Sequence, residues 1–220
     1  FLHLQTCFRS TKSMKKISLI VLGLILIALG LLAYAFRPTP APTNTIAEKT
    51  ETVSGEKTII SEKSKARFEI YEVLRGSPFT VVGSTTNISG KITFTPEGPK
   101  VSEIKINARA LKTESEGRDR AINRFILKTD DVANEFIVFT PETVTGLPAE
   151  PKALESYTFT VEGNLKIAGV TKKATFETTA KQLEDGSIEG SAKTTIKYKD
   201  FGLTIPEVSF VAEVADEVNL

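Results

Sequence analysis

Between residues 157 and 180 the chain reads YTFTVEGNLKIAGVTKKATFETTA, two runs of alternating apolar and polar positions about one small-residue break. Tyr157, Phe159, Val161, Leu165 and Ile167 share one parity, and Thr158, Thr160, Glu162, Asn164 and Lys166 take the other, as a strand with one buried face requires. On the return run Ala174, Phe176 and Thr178 alternate with Lys173, Thr175 and Glu177. Ala168-Gly169 supplies the permissive backbone for the reversal, so the pattern predicts a β-hairpin.

The same period recurs through the rest of the chain beyond residue 57. Strands are predicted over 66–74, with Phe68 and Ile70 on one face, over 78–83, with Phe79 and Val81, and over 89–94, with Ile92 and Phe94. A longer strand over 101–111 places Ile104, Ile106, Ala108 and Ala110 together. Residues 116–128, EGRDRAINRFILK, break the period; Ala121, Ile122, Phe125 and Ile126 form a helical stripe, which predicts the only helix of the domain. Strand returns over 136–144, with Thr140-Pro141 at a bulge or edge. Glu184-Asp185-Gly186 marks a tight turn between 175–183 and 188–198, and a last strand runs over 208–218. Eight or nine antiparallel strands with one short helix make an all-β domain, whose sheet either splits into a sandwich or closes into a barrel.

Ahead of this domain lies a different pattern. Residues 17–36, ISLIVLGLILIALGLLAYAF, carry no charge and are long enough to cross the roughly 30 Å hydrocarbon core of a bilayer. Lys15 and Lys16 precede them, so the positive-inside rule puts residues 1–16 in the cytoplasm and everything after the span on the outer face of the membrane. The run is long for a secretory leader and is read as an uncleaved anchor; the alternative is a signal peptide cleaved after Ala33-Tyr34-Ala35. Residues 37–57, rich in Pro, Thr, Ala and charge, read as an extended tether. Residues 58–220 then form one domain of ordinary size.

Composition removes several functions. Lys+Arg 28 against Asp+Glu 27 leaves a formal net charge of +1, without the basic bias of a nucleic-acid binder. The single His and single Cys, His3 and Cys7, both precede the single Met, Met14. Met14 is read as the start of translation, with residues 1–13 upstream of it; an intact mass that includes Phe1 would refute this. The working protein then lacks the usual zinc ligands, the usual base of a Ser or Cys triad, and any disulfide pair. No metal, cofactor or catalytic residue is assigned. The carboxylates Asp130-Asp131, Glu114 with Glu116, and Glu184-Asp185 sit in polar connections and read as solvated turns or helix ends. Gly190-Ser191-Ala192-Lys193-Thr194 fails as a phosphate loop, because it lies in a strand and its Lys does not follow the Gly.

Two features point to binding. The chain has 13 Phe and no Trp, many of the Phe at inward parity, and an eight-stranded barrel either fills with such side chains or holds one small ligand. Arg118, Arg120 and Arg124 lie on the helix, read either as an exposed face or, together with Arg75, as a polar mouth that meets an anionic or polar head group.

The runs 163–180 (GNLKIAGVTKKATFETTA), 198–206 (YKDFGLTIP) and 64–94 (SKARFEIYEVLRGSPFTVVGSTTNISGKITF) resemble the YceI-like family. Gly169-Val170-Thr171 and Asp200-Phe201-Gly202, in that order and with Gly83 and Gly90 upstream, are the most specific parts. The resemblance implies a lipocalin-like antiparallel barrel whose elongated apolar interior binds a polyisoprenoid chain, in an extracytoplasmic bacterial setting and often as a dimer. It implies contacts at inward positions of the matched strands, namely Phe68, Ile70, Phe79, Val81, Ile92, Phe94, Ile104, Ile106, Phe125, Phe136, Phe159, Leu165, Ile167, Phe176 and Phe201, with Arg75, Arg120 and Arg124 at the mouth. The chain departs from the family pattern in two places. It has Glu72-Val73-Leu74-Arg75 where many members have a His, and it lacks their Tyr-Pro pair before Glu135-Phe136. The expected function is a membrane-tethered periplasmic or extracellular carrier of an isoprenoid-like lipid rather than an enzyme. The alternatives are a structural or partner-binding domain with a filled barrel, and a cofactor-free enzyme acting on such a lipid.

Overall fold

The computed structural model describes residues 53–220; the expected anchor at 17–36, the segment 1–16 and the tether over 37–52 lie outside the described residues. In chain order the strands are β1 (Gly55–Thr58), β2 (Ala66–Leu74), β3 (Ser77–Thr85), β4 (Ile88–Ser89), β5 (Lys91–Thr95), β6 (Gly98–Val101), β7 (Ile104–Asn107), β8 (Phe136–Thr145), β9 (Ser156–Ile167), β10 (Val170–Gln182), β11 (Ile188–Lys193), β12 (Thr195–Lys197) and β13 (Val211–Asn219). Among the described residues one α-helix, α1 (Glu116–Ala121), runs on into a π-helical turn over Ile122–Ile126. Among the described residues no helix is long and apolar enough to cross a membrane.

The central hairpin forms as its alternation demands. Along β9 every inward odd position from Phe159 to Ile167 is buried while the even positions are not. Ala168 and Gly169 make the turn with φ of 45° and 84°, the paired positive φ of a two-residue hairpin whose twist matches its strands. The register that results sets Val161 opposite Phe176 and Gly163 opposite Ala174. The second turn holds too, with Gly186 at φ 79° and the Asp185 carboxylate accepting from the Ser187 N–H at 2.9 Å.

Among the described residues all ladders are antiparallel, and they divide the strands among three sheets. Six strands run in the order β11-β10-β9-β8-β7-β4, four in the order β12-β13-β2-β3, and three in the order β1-β5-β6; the larger sheet curls as a half barrel. Two chain segments serve both larger sheets. β11 and β12 are separated only by Thr194, whose N–H and C=O both bond Leu220. β3 gives way to β4 at Thr86-Asn87, where the Thr85 hydroxyl takes the Asn87 N–H at 3.0 Å and the Thr86 carbonyl takes that of Ile88 at 2.8 Å. Strands that change sheet at such bends are the usual corners of stacked sheets.

Several sequence expectations are corrected. The long strand over 101–111 is interrupted: β6 ends at Val101, β7 covers four residues, and Ala108–Ala110 turn as a 3₁₀ helix. The Asn107 side chain causes this by accepting the Ala110 N–H at 3.2 Å, a local bond that competes with the ladder. Residues 55–57, assigned to the tether by composition, belong to β1, which pairs with β5. Before them Val53 is buried and bonds the Pro151 carbonyl at 2.8 Å.

Candidate functional site

One apolar face organises the space between the two larger sheets. Its centre is the cluster of Phe139 on β8, Phe159, Val161, Leu165 and Ile167 on β9, and Ala174 on β10, all at most 8% exposed. Phe176 packs against it, its ring meeting that of Phe139 edge to face. The face continues past a β-bulge in β8, where the register steps from Pro141 opposite Gly163 to Thr143 opposite Glu162. That one extra residue switches the inward parity from Ile137 and Phe139 to Val144, so both halves of β8 present apolar groups to the same side. Gly163 permits the bulge: a Cβ there would lie 2.3 Å from the Thr140 carbonyl oxygen.

The opposing sheet contributes the inward parity of β2 and β3. Phe68 pairs across the ladder with Gly83, Ile70 with Val81, and Glu72 with Phe79. Phe68 lies so flat on its partner that a Cβ at Gly83 would sit 2.1 Å from the ring. One end of the space is closed by the segment that leads through α1. Leu111, Ile122 and Leu127 join the buried cluster there, and Phe201 enters from the 3₁₀ turn Tyr198–Phe201, which Gly202 ends at φ 66°.

The candidate wall residues therefore separate into groups. Phe159, Leu165, Ile167 and Phe201 are buried in the cluster, with Phe68, Ile104 and Phe176 packed on it. Ile70 and Val81 pair across the other sheet on the parity of Phe68 but stand outside that cluster, Val81 only 2% exposed; Phe79 is half-buried beside them, and Ile106 is half-buried on β7. Ile92 and Phe94 belong instead to the three-stranded sheet, where Phe94 lies between Gly55 and Pro99. Phe136 and Phe125 point away, 41% and 56% exposed. For Phe136 the reason is parity, since Ile137 and Phe139 take the inward positions. For Phe125 it is the π turn: the Leu127 N–H bonds the Ile122 carbonyl five residues back, which aligns those two residues on the buried side and rotates Phe125 outward.

The mouth arginines do not converge. Arg75 occupies a positive-φ turn and is exposed; Arg120 pairs with Glu116 at 3.7 Å in solvent; Arg124 lies over the Phe125 ring. The arginine that reaches the inner face is Arg118. It donates to the Glu72 carboxylate at 2.8 Å, pairs also with Glu114, and rests over the Phe79 ring with Cζ 5.6 Å from the centroid. The signal for Arg118 in the sequence is Glu72, a carboxylate at the inward parity of β2. Ser115 starts α1 by accepting the Arg118 N–H at 3.4 Å, and Asp119 anchors it by accepting from the Thr113 N–H at 2.7 Å and hydroxyl at 2.8 Å.

Other polar features lie elsewhere. On the outer face of the hairpin, Lys173 donates to the Glu142 carboxylate and holds it below its ordinary pKa of 4.5, with Asn164 donating at 2.6 Å. Two surface depressions, of about 530 and 470 Å³, are lined by groups such as Lys91, Glu103 and Lys105 in one case and Glu213, Asp216 and Glu217 in the other, away from the apolar face. Among the described residues no three His, Cys, Asp or Glu side chains are placed to hold a metal ion.

No curated protein matches the chain. Among solved structures it resembles Burkholderia cenocepacia BcnA, at 17% identity and TM-score 0.53 over 73% of this chain and 94% of that one. It also resembles a polyisoprenoid binding domain from Saccharophagus degradans implicated in plant cell wall breakdown, at 12% identity and TM-score 0.55 over 76% and 94%. These likenesses concern the fold. The family model of the YceI-like domain matches residues 58–220, and the chain belongs to that family.

Proposed function

We propose that the domain is a binding protein that holds an isoprenoid or other long-chain apolar lipid between its two larger sheets, in a lipocalin-like barrel closed through the shared segments β3/β4 and β11/β12. The observation that carries this reading is the continuous apolar face over β8, β9 and β10, met from the other sheet by Phe68. The polyisoprenoid-binding description of a protein with a similar fold supports it. Burial of each CH₂ is worth roughly 0.8 kcal/mol, so a few isoprene units contribute on the order of 10 kcal/mol before ordering costs. Apolar walls suffice for affinity, and the reading requires no turnover. The charge-free run at 17–36 supports a tether at the outer face of the cytoplasmic membrane, and the family resemblance leaves room for a homodimer.

A second reading, a partner-binding domain with a filled interior, is favoured by the close meeting of Phe139 and Phe176 at the centre of the face. Native mass spectrometry of the protein purified from its own host separates the two. A bound species of discrete mass supports the carrier; protein that is empty under gentle ionisation, and stays empty after incubation with isoprenoid lipids, refutes it.

A further inference from the structure

We propose that β11 pairs antiparallel with β11 of a second copy of this chain, joining two six-stranded sheets edge to edge about a two-fold axis at Ser191. The proposal rests on the homodimer reading above, whose surface it names, and is independent of what the interior holds. β11 ends the six-stranded sheet, bonded to β10 on one side only, and residues 189–193 are all exposed. Its other edge continues the one that β13 covers, where Thr194 turns both its N–H and its C=O onto Leu220, at 3.2 and 2.8 Å. That direction recurs at every second residue of an antiparallel strand. Ala192 and Gly190 therefore aim their backbone groups along the same edge, and among the described residues no strand meets them there.

Sheet edges are usually protected by Pro, by a bulge or by repelling charge. β11 reads IEGSAK, runs without a bulge against β10, and carries two charges of opposite sign. Turned on itself about Ser191, the strand is self-complementary. Ala192 meets Gly190 of the second copy and exchanges backbone bonds with it, Glu189 meets Lys193 of the second copy, and both contacts occur twice. The charged pairs fall at the non-hydrogen-bonded positions, where facing side chains come closest. Within one copy Lys193 already stands opposite Glu177, and Glu189 opposite Lys181. The seam thus completes a row of alternating sign across four strands: Glu177 and Lys193, then Glu189 and Lys181 of the second copy. A slip of two residues in either direction breaks both charged pairs, so the charges fix the register.

The test uses the full-length chain in detergent with Cys7→Ser, so that an introduced cysteine is the only one. The register sets Ser191 of the two copies face to face with Cα atoms about 4.5 Å apart, within disulfide reach. Ser191→Cys is expected to give a covalent dimer under mild oxidation, and Thr175→Cys, also exposed but on β10, to give none. Added to Ser191→Cys, Glu189→Lys or Lys193→Glu sets like charges across both pairs, and each is expected to lower the yield of dimer about tenfold. Mixing those two proteins restores opposite charges at both pairs and is expected to recover it. If Ser191→Cys does not cross-link, or Thr175→Cys cross-links as well, the interface is overturned; sedimentation of the same samples then tells whether the homodimer reading falls with it. A cross-link that the charge variants leave unchanged, or that mixing fails to restore, overturns the register.

Discussion

The rings of Phe139 on β8 and Phe176 on β10 meet edge to face across β9, centroids 4.7 Å apart and planes at 60°. Neither residue could reach the other without the small side of the strand between them, since Phe176 stands opposite Val161 and Phe139 opposite Leu165, with Gly163 in the middle. Phe139→Ala is expected to lower stability by about 3 kcal/mol or more, and Phe176→Ala, which is less buried, by less. A double-mutant cycle in urea should return a coupling of about 0.5–1.5 kcal/mol. Strict additivity would mean that the contact carries no energy of its own.

Gly163 and Gly83 both exclude a Cβ, for different reasons. At Gly163 the obstruction is backbone, 2.3 Å to the Thr140 oxygen; at Gly83 it is the ring of Phe68. A ring can swing aside and a bulged ladder cannot. Gly163→Ala should therefore destabilise by about 2 kcal/mol or more, and Gly83→Ala by clearly less. Equal losses in thermal melts would contradict this account of the bulge.

Arg118 and Arg120 lie two residues apart on one short helix and should behave unlike each other. Arg118→Ala leaves Glu72 buried without its partner, a loss of about 3 kcal/mol, whereas Arg120→Ala, in solvent, should change stability by less than about 0.5 kcal/mol. Replacing Glu72 and Arg118 together by Met should recover most of the first loss. Chemical denaturation of the three proteins checks the order.

The wall of the proposed slot is also testable by position. Phe176→Asp places a charge on the inner face and should abolish lipid copurification, while Phe94→Asp, on the three-stranded sheet, should leave it intact. Loss of lipid in both variants, each checked for folding by circular dichroism, would place the ligand somewhere other than between the larger sheets.

Acid should weaken the outer face of the hairpin in a predictable direction. Because Lys173 and Asn164 hold Glu142 below 4.5 in the folded protein, the carboxylate contributes stability that is present above its unfolded value and lost as pH falls through the folded one. Between about pH 5 and pH 3, wild type should lose more stability than Glu142→Gln, and added salt should shrink the difference. Parallel urea midpoints over that range would remove the assignment.

How much of this was legible in the chain depends on whether one period governed the segment. Along β9 and β10 a strict alternation left a single choice of inward face, and Phe159, Leu165, Ile167 and Phe176 follow from it. Over 136–139 the run FIVF is apolar at both parities, so Phe136 was a natural choice, and only the bulge at Pro141 reveals that Phe139 is the inward ring. Phe125 was misplaced because helical periodicity assumes 3.6 residues per turn, and the chain widens to a π turn there. Ile92 and Phe94 alternate as well as any pair, but alternation does not say which sheet a strand joins. Arg118 became visible only through Glu72, whose placement inside a sheet runs against the expectation that carboxylates face water.

The seam between β2 and β13 has a kinetic meaning. It pairs Ile70 with Val218, strands from opposite ends of the domain, whereas β9 and β10 are joined by two residues. Non-local pairings of this kind slow folding, because a long loop must close before any contact rewards it. The hairpin can nucleate early, but β2 has to wait, with one edge open, until the last strand arrives. The interval before that seam closes is when the chain is most exposed to joining a neighbouring copy edge to edge.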